Sequence, residues 1–224
     1  MKAMILAAGL GARLRPLTDR TPKPMLKIAG KPLLAYHLER LASAGITEIV
    51  INISWLADQI EDYFSDGGQF GVTINWSREE YPLETGGGIL NALPFLGSDP
   101  FLLVSGDIWT DFPIETLLMN SLELNDLAHL VLVNNPKHNP MGDFSLAHHR
   151  IGFEPKRHTY SGISILSPEL FKNIDQQDNI FPLRNVFRPA ILSHQISGTL
   201  YSGEWCDVGT LDRYTNLNKR ITEN

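Results

Sequence analysis

Ala3-Met4-Ile5-Leu6-Ala7-Ala8-Gly9-Leu10-Gly11-Ala12-Arg13-Leu14-Arg15-Pro16 sets the architecture: an apolar run of strand length opens directly into a glycine-punctuated loop. A buried strand is expected over 3–8. Working outward, residues 33–44 have helical period, with Leu34, Leu38 and Leu41 on one face and Gly45 just past the end. Strands are expected over 48–53, 72–76, 101–104, 127–133 and 161–166, with helices over 56–64 and from 88 to 93. Ser167-Pro168-Glu169 opens a further short helix, serine as cap and proline in the first turn. Residues 134–156 are polar and irregular, with Pro136, Pro140, Gly142 and Gly152, and fit a hairpin or insertion. The strand–helix alternation predicts an α/β fold, a mixed and mainly parallel central sheet covered on both faces in three α/β/α layers. No repeat or linker divides the chain, so a single domain over 1–224 is expected.

The 224 residues are 43% hydrophobic and 20% charged, which sets disorder aside. A formal net charge of -6 offers no general cationic field to nucleic acid or an anionic membrane. Charge is nevertheless uneven. Arg13, Arg15, Arg20, Lys23, Lys27 and Lys31 crowd the first segment with Asp19 as the only acid among them, a pattern that suits a small polyanion or a solvated loop. One cysteine, Cys206, excludes an intramolecular disulfide and a multi-cysteine zinc site. No apolar run approaches the roughly 18 residues of a membrane span. The apolar stretch at the start is too short for a signal peptide, and the cytoplasm is the expected location.

In open α/β sheets ligands bind beyond the carboxyl ends of the strands, where the loops after 3–8 and after 101–104 fall. After Leu6, the small residues Ala7, Ala8, Gly9 and Gly11 let the backbone approach a ligand, and successive amide groups over this stretch can cradle phosphate oxygens. The pattern is not a P-loop, which ends Gly-Lys-Ser/Thr, nor a complete dinucleotide fingerprint, which needs a third glycine and an acid about 20 residues on. Pro22 and Pro24 bracket Lys23, so an extended, pre-set lysine beside the cradle is expected; a Pro-Lys-Pro surface loop is the alternative.

The stretch from Leu6 to Thr18, the Pro22-Lys23-Pro24 segment and Gly30-Lys31-Pro32-Leu33 together resemble the signature of the sugar-1-phosphate nucleotidyltransferases. The resemblance continues through Leu83-Glu84-Thr85-Gly86-Gly87-Gly88, Gly106-Asp107 and Trp205-Cys206-Asp207-Val208-Gly209-Thr210, covering almost the whole chain in order. It implies a Rossmann-like fold and transfer of a nucleotidyl group from a nucleoside triphosphate to a sugar 1-phosphate, with Mg2+. Segments such as Gly142-Asp143-Phe144 and Tyr160-Ser161-Gly162-Ile163-Ser164 narrow the resemblance to members that use UTP and N-acetylmuramate 1-phosphate in cell-wall recycling. GTP with mannose 1-phosphate is the alternative pair, a choline-phosphate cytidylyltransferase another, and a regulatory module that binds sugar nucleotides without turnover the non-enzyme alternative.

Asp107 follows an apolar strand and a glycine; Asp207 sits far away in a Trp-Cys-Asp-Val-Gly-Thr turn. Magnesium takes one or two carboxylates together with phosphates and water, and two adjacent acids repel unless a cation lies between them. An Asx turn or helix cap at Asp107 and a hydrogen-bonded turn at Asp207 remain the alternatives. The resemblance implies Arg13, Lys23, Asp107 and Asp207 as catalytic and the two aspartates as metal ligands. It also implies that Thr85, Gly86 and Gly87 meet the base or ribose, the helix-start amides being able to bind an anion, with Glu79 or Glu80 on the base edge. Gly142, Asp143, Glu154 and Gly162 stand where relatives contact the sugar. Where many of those carry Glu-Lys-Pro, this chain reads Glu154-Pro155-Lys156-Arg157, so the grip on the sugar phosphate is open between Lys156 and Arg157. A monomer or weak homo-oligomer is expected.

Overall fold

The computed structural model describes residues 1–119, 122–174 and 179–223. In chain order the elements are β1 (Ala3–Leu6), a small hairpin of β2 (Lys27–Ile28) and β3 (Lys31–Pro32), α1 (Leu33–Ser43), β4 (Glu48–Ile53), α2 (Ala57–Phe64), β5 (Thr73–Arg78) and α3 (Glu84–Leu96). They continue with β6 (Phe101–Ser105), β7 (Ile108–Thr110), α4 (Glu115–Leu118), β8 (Ala128–Val133), β9 (Phe144–Ala147), β10 (Arg150–Gly152) and β11 (Arg157–Leu166). The chain closes with α5 (Arg184–Leu192), β12 (Ile196–Tyr201), β13 (Trp205–Asp207) and α6 (Leu211–Glu223).

The main sheet has the order β5-β4-β1-β6-β11-β8-β12-β10-β9. Its first four strands are parallel, with Ile5 between Ile51 and Val104 in register. β11 and β10 run against the rest, which makes the sheet mixed. Alternate residues of each strand feed separate clusters, as the two-residue pleat requires. Ile5, Ile51 and Val104 pack with Leu34, Leu38 and Leu41 of α1 and Ile60 and Phe64 of α2. Met4, Val50 and Leu103 pack instead with Ile89 and Leu96 of α3 and Phe187 and Ile191 of α5.

Several expected boundaries move. β1 stops at Leu6 rather than residue 8, because the Ala7 N–H leaves the ladder for Asn52 Oδ1 at 2.9 Å. α3 begins at Glu84, four residues before the expected start, and carries the glycines inside its first turns. Residues 134–156 do contain a hairpin, β9–β10. Asp207 is not in a free turn: it ends β13, which pairs antiparallel with β7 so that Asp207 faces Ile108.

That pairing brings the C-terminal region to the strand ends. Val208 N–H donates to the Asp107 carbonyl at 2.7 Å. Below it, Val208, Leu217 of α6, Leu33 and Ile28 form a third apolar cluster that ties α6 to the β2–β3 hairpin.

Candidate active site

Two hollows meet at the carboxyl ends of β1 and β6. The smaller, about 200 Å³, is lined by Ala7, Ala8, Gly9, Lys23, Glu79 and Thr85; the larger, about 910 Å³, by Gly142, Asp143, Arg157, Gly162 and Asp207, among others. Leu6, Thr85, Ser105 and Asp107 belong to both walls. Asp107 therefore stands at the junction.

Glycine makes that position possible. Gly106 N–H donates to Leu6 O at 2.9 Å, and a Cβ at Gly106 would stand 2.6 Å from the same oxygen. Only a residue without a side chain lets the end of β6 run this close to β1, delivering Asp107 beside the glycine loop. Arg40 of α1 braces the other side, donating to the carbonyl oxygens of Thr110 and Phe112 just beyond β7.

Lys23 Nζ lies 2.7 Å from Asp107 Oδ2, with the lysine side chain only 12% exposed. Lys23 is not extended as its flanking prolines suggested. It opens a 3-10 turn, Lys23–Met25, with Pro24 inside, while Pro22 before it is extended. The turn closes through Met25 N–H to Pro22 O at 2.8 Å, so Lys23 is still held by local backbone.

Asp207 is half-buried between His138 and Arg213. Its Oδ1 is 2.9 Å from His138 Nε2, and its Oδ2 is 2.9 Å from an Arg213 terminal nitrogen. Neither approach is aligned as a hydrogen bond, and Asp207 Oδ1 is a buried oxygen with no hydrogen-bond donor. Two carboxylates, Asp107 in the turn before β7 and Asp207 at the end of β13, face one hollow; with one oxygen unsatisfied they make a donor set of the hard oxygen type that suits magnesium. Among the described residues no group of three or more His, Cys, Asp or Glu side chains is arranged to hold a metal, so a cation here would take its remaining ligands from substrate and water.

Beneath the glycine loop lies a buried polar chain. Ala7 N–H donates to Asn52 Oδ1, Asn52 Nδ2 donates to Glu79 Oε1 at 2.6 Å, and Leu83 N–H donates to Glu79 Oε2 at 3.0 Å. Burial raises the Glu79 carboxyl above its ordinary range, against the pull of these donors. Both Glu79 oxygens thus already serve the scaffold of the smaller hollow. Glu80 lies outside its lining.

Gly86 and Gly87 differ from expectation. Their N–H groups both donate to Phe181 O, at 2.9 and 3.1 Å, and are unavailable to an anion. A Cβ at Gly86 would meet the Phe181 ring at 2.3 Å, and one at Gly87 the Asn179 carbonyl oxygen at 1.9 Å. The glycines admit the 179–183 segment against α3; neither lines a hollow. Thr85 does line both, and its Oγ1 accepts from Leu183 N–H at 2.8 Å. Gly11, φ 63°, turns the loop against Thr18, whose hydroxyl donates to Gly11 O at 2.9 Å. Arg13 is exposed and outside both linings, because the loop folds onto Leu14 and Thr18 rather than over the site.

On the acceptor side, Gly142, Asp143 and Gly162 line the larger hollow. Gly162, φ 82°, sits where β11 slips register against β8, and a Cβ there would be 2.6 Å from Ser105 Oγ. Asp143 accepts the Tyr160 N–H at 2.8 Å. Glu154 lies outside the lining of the larger hollow: its carboxylate accepts from Ser145 Oγ across the β9–β10 hairpin, which lowers its pKa. Lys156 is exposed and outside; Arg157 is in the wall.

Arg184, Arg188, His138 and Arg213 were missed by sequence reasoning. The first two lie on α5, whose helical pattern Pro189 interrupts. Arg213 had a signal, since Thr210 stands three residues ahead and accepts the Arg213 N–H at 3.4 Å, the pattern of a helix start.

A glycine loop at a strand end, a largely buried lysine on an aspartate and a second aspartate from a remote strand meet at these hollows, and comparison with known sequences gives the class of protein. The nucleotidyl transferase family model matches residues 2–224, and the chain belongs to that family. It is 48% identical over 221 residues to N-acetylmuramate alpha-1-phosphate uridylyltransferase of Neisseria meningitidis serogroup B, each chain being covered to 95%. It is 32% identical to mannose-1-phosphate guanylyltransferase of Mycobacterium tuberculosis across 93% of this chain, which spans 61% of that enzyme's length. The fold matches a Bacillus anthracis protein provisionally named a glucose-1-phosphate thymidylyltransferase, with a TM-score of 0.89 at 20% identity, covering 100% of this chain and 96% of that one.

Proposed function

We propose that the chain joins UTP to N-acetylmuramate 1-phosphate, giving UDP-N-acetylmuramate and pyrophosphate. The observation that carries nucleotidyl transfer is the Lys23–Asp107 pair at the junction of the two hollows, with Asp207 beside it across the β7–β13 pairing. The choice of substrates follows the meningococcal relative.

The smaller hollow takes the phosphates on the Leu6–Gly9 backbone, and the larger takes the acceptor between Asp143 and Gly162. An acceptor phosphate oxygen attacks the α-phosphorus as the bond to pyrophosphate breaks. That oxygen is ionised near neutral pH and needs no general base. The protein's contribution is to place two anions together and offset their repulsion. Lys23 Nζ supplies fixed positive charge there, and Thr85 and Gly162 shape the walls. Arg13, on the exposed loop, is assigned to the triphosphate once that loop closes. Asp107 and Asp207 would hold Mg2+, which neutralises developing phosphate charge. In this reading the chain is one three-layer α/β/α domain of a cytoplasmic enzyme, monomeric or weakly associated.

The test is pyrophosphate release with each of the four ribonucleoside triphosphates, with N-acetylmuramate or mannose phosphate as acceptor, with and without magnesium. Magnesium-dependent release with UTP and N-acetylmuramate 1-phosphate is expected. Preference for GTP and mannose 1-phosphate would move the assignment to the mycobacterial relative's reaction. No release with any pair overturns it.

A further inference from the structure

Three guanidinium groups line the larger hollow, and among the described residues none of them is in an ion pair, although the charge of Arg157 is felt at the Glu154 carboxylate. Arg157 donates only to backbone, through Nε to Glu154 O at 3.2 Å and through a terminal nitrogen to Phe153 O at 2.7 Å. Arg188 stands over the Phe153 ring, its Cζ 5.7 Å from the centroid. Arg184 lies one turn earlier on α5, in the same wall. Phe153 thus holds a guanidinium at its carbonyl and another at its ring.

Of the other arginines, Arg15, Arg78, Arg150, Arg213 and Arg220 each meet a carboxylate, Arg40 donates to backbone carbonyls, and Arg13 and Arg20 stand exposed on the glycine loop. Arg157, Arg184 and Arg188 differ in lining a hollow while, among the described residues, forming no ion pair. The acids of this hollow are engaged with other groups: Asp143 with the Tyr160 N–H and the Asn139 amide, Asp107 with Lys23, Asp207 with His138 and Arg213. The wall between the guanidiniums is apolar, formed by Phe144, Phe153 and Phe187. Guanidinium charge on such a wall, free of ion pairs, attracts an anion, and a guanidinium fork matches a carboxylate in shape.

The phosphate that reacts belongs by Lys23 and Asp107, with which none of the three arginines pairs. The charge they await is a second one on the acceptor. We propose that Arg157 and Arg188, with Arg184 alongside, bind a carboxylate carried by the acceptor sugar and so select an acidic sugar 1-phosphate over its neutral counterpart. This rests on the nucleotidyl-transfer reading above. N-acetylmuramate 1-phosphate carries such a group on its lactyl ether; N-acetylglucosamine 1-phosphate is the same sugar without it.

The experiment measures kcat/KM for both acceptors with UTP in wild type, Arg188→Gln and Arg157→Lys, with thermal melting to check folding. Arg188 is exposed on its helix, and Arg157→Lys keeps a cation while losing the fork, so at least one variant folds. The wild type is expected to favour the lactyl-bearing acceptor, and each variant to shrink that preference about 10- to 100-fold, chiefly through KM. A preference unchanged within twofold in both variants overturns the inference, as does a wild type that uses the two acceptors equally. A wild type that releases no pyrophosphate with any nucleoside triphosphate overturns the nucleotidyl-transfer reading, and this inference with it.

Discussion

Arg213 reaches Asp207 beneath Gly209: its terminal nitrogen is 2.9 Å from Asp207 Oδ2, and a Cβ at Gly209 would stand 2.1 Å from that nitrogen. The same Cβ would stand 2.8 Å from Asp207 Oδ2, so alanine fits if the flexible end of Arg213 moves and the Asp207 carboxylate gives slightly. Loss of Arg213 from this place would leave Asp207 without the guanidinium that orients it. Gly209→Ala and Arg213→Met are therefore expected to fold with stability within about 1 kcal/mol of wild type. Both should raise the magnesium concentration for half-maximal activity about tenfold or more, as loss of a partner behind a metal ligand does. Magnesium titration of initial rates checks this. An unchanged requirement in both variants removes the positioning role.

Lys23 and Asp107 are coupled more directly to the reaction. Removing one preorganised charge at such a site costs about 3–4 kcal/mol of transition-state stabilisation. Lys23→Ala and Asp107→Asn are each expected to lower kcat about 100- to 1000-fold while the melting temperature moves by only a few degrees. Turnover within tenfold of wild type in either variant contradicts the assignment.

The glycines at the start of α3 give the opposite signature. Gly87→Ala would place a methyl group 1.9 Å from the Asn179 carbonyl oxygen, and backbone does not swing aside cheaply. A cost of about 3 kcal/mol is expected, or roughly 6–12 °C in melting temperature for a chain of this size. Calorimetry decides. An unchanged melting temperature with a raised KM for nucleoside triphosphate would return Gly87 to a ligand-facing role.

These contrasts mark what the chain's letters disclose. The strand, the glycine loop and Gly106-Asp107 were legible because an apolar run, a turn residue and a following acid are neighbours in sequence. The Asp107–Asp207 convergence came from family resemblance alone, since nothing local to Asp207 says that β13 pairs with β7. The packing of Gly86 and Gly87 against residues 179–183 was not legible, because a glycine that admits a ligand and one that admits another segment look the same in sequence. The Ser145 contact of Glu154 was not legible because a hairpin, not spacing, brings the two side chains together. Arg184 and Arg188 went unseen because Pro189 and a polar face hide α5 from periodicity.

His37 ties stability to pH from within the core. It lies buried on α1 with Nε2 unpartnered, and its pKa is lowered from 6.5 to about 4. Burial is the main cause and Arg40 adds to it, while Asp107 and the backbone at Ile108 and Gly106 oppose. Above pH 6.5 the ring is neutral in both folded and unfolded chains and exerts no pH effect. As pH falls from 6.5 towards 4, the unfolded chain takes up a proton that the folded one refuses, so stability is lost across that window. A displacement of this size is worth about 3 kcal/mol. His37→Leu removes the group, and carboxylates common to both proteins cancel in the comparison. Denaturant titrations at pH 7 and pH 4 should show wild type losing about 3 kcal/mol more than the variant. Equal losses would mean that the His37 ring is protonated as readily in the folded chain as in the unfolded one, and that its buried position carries no penalty for charge.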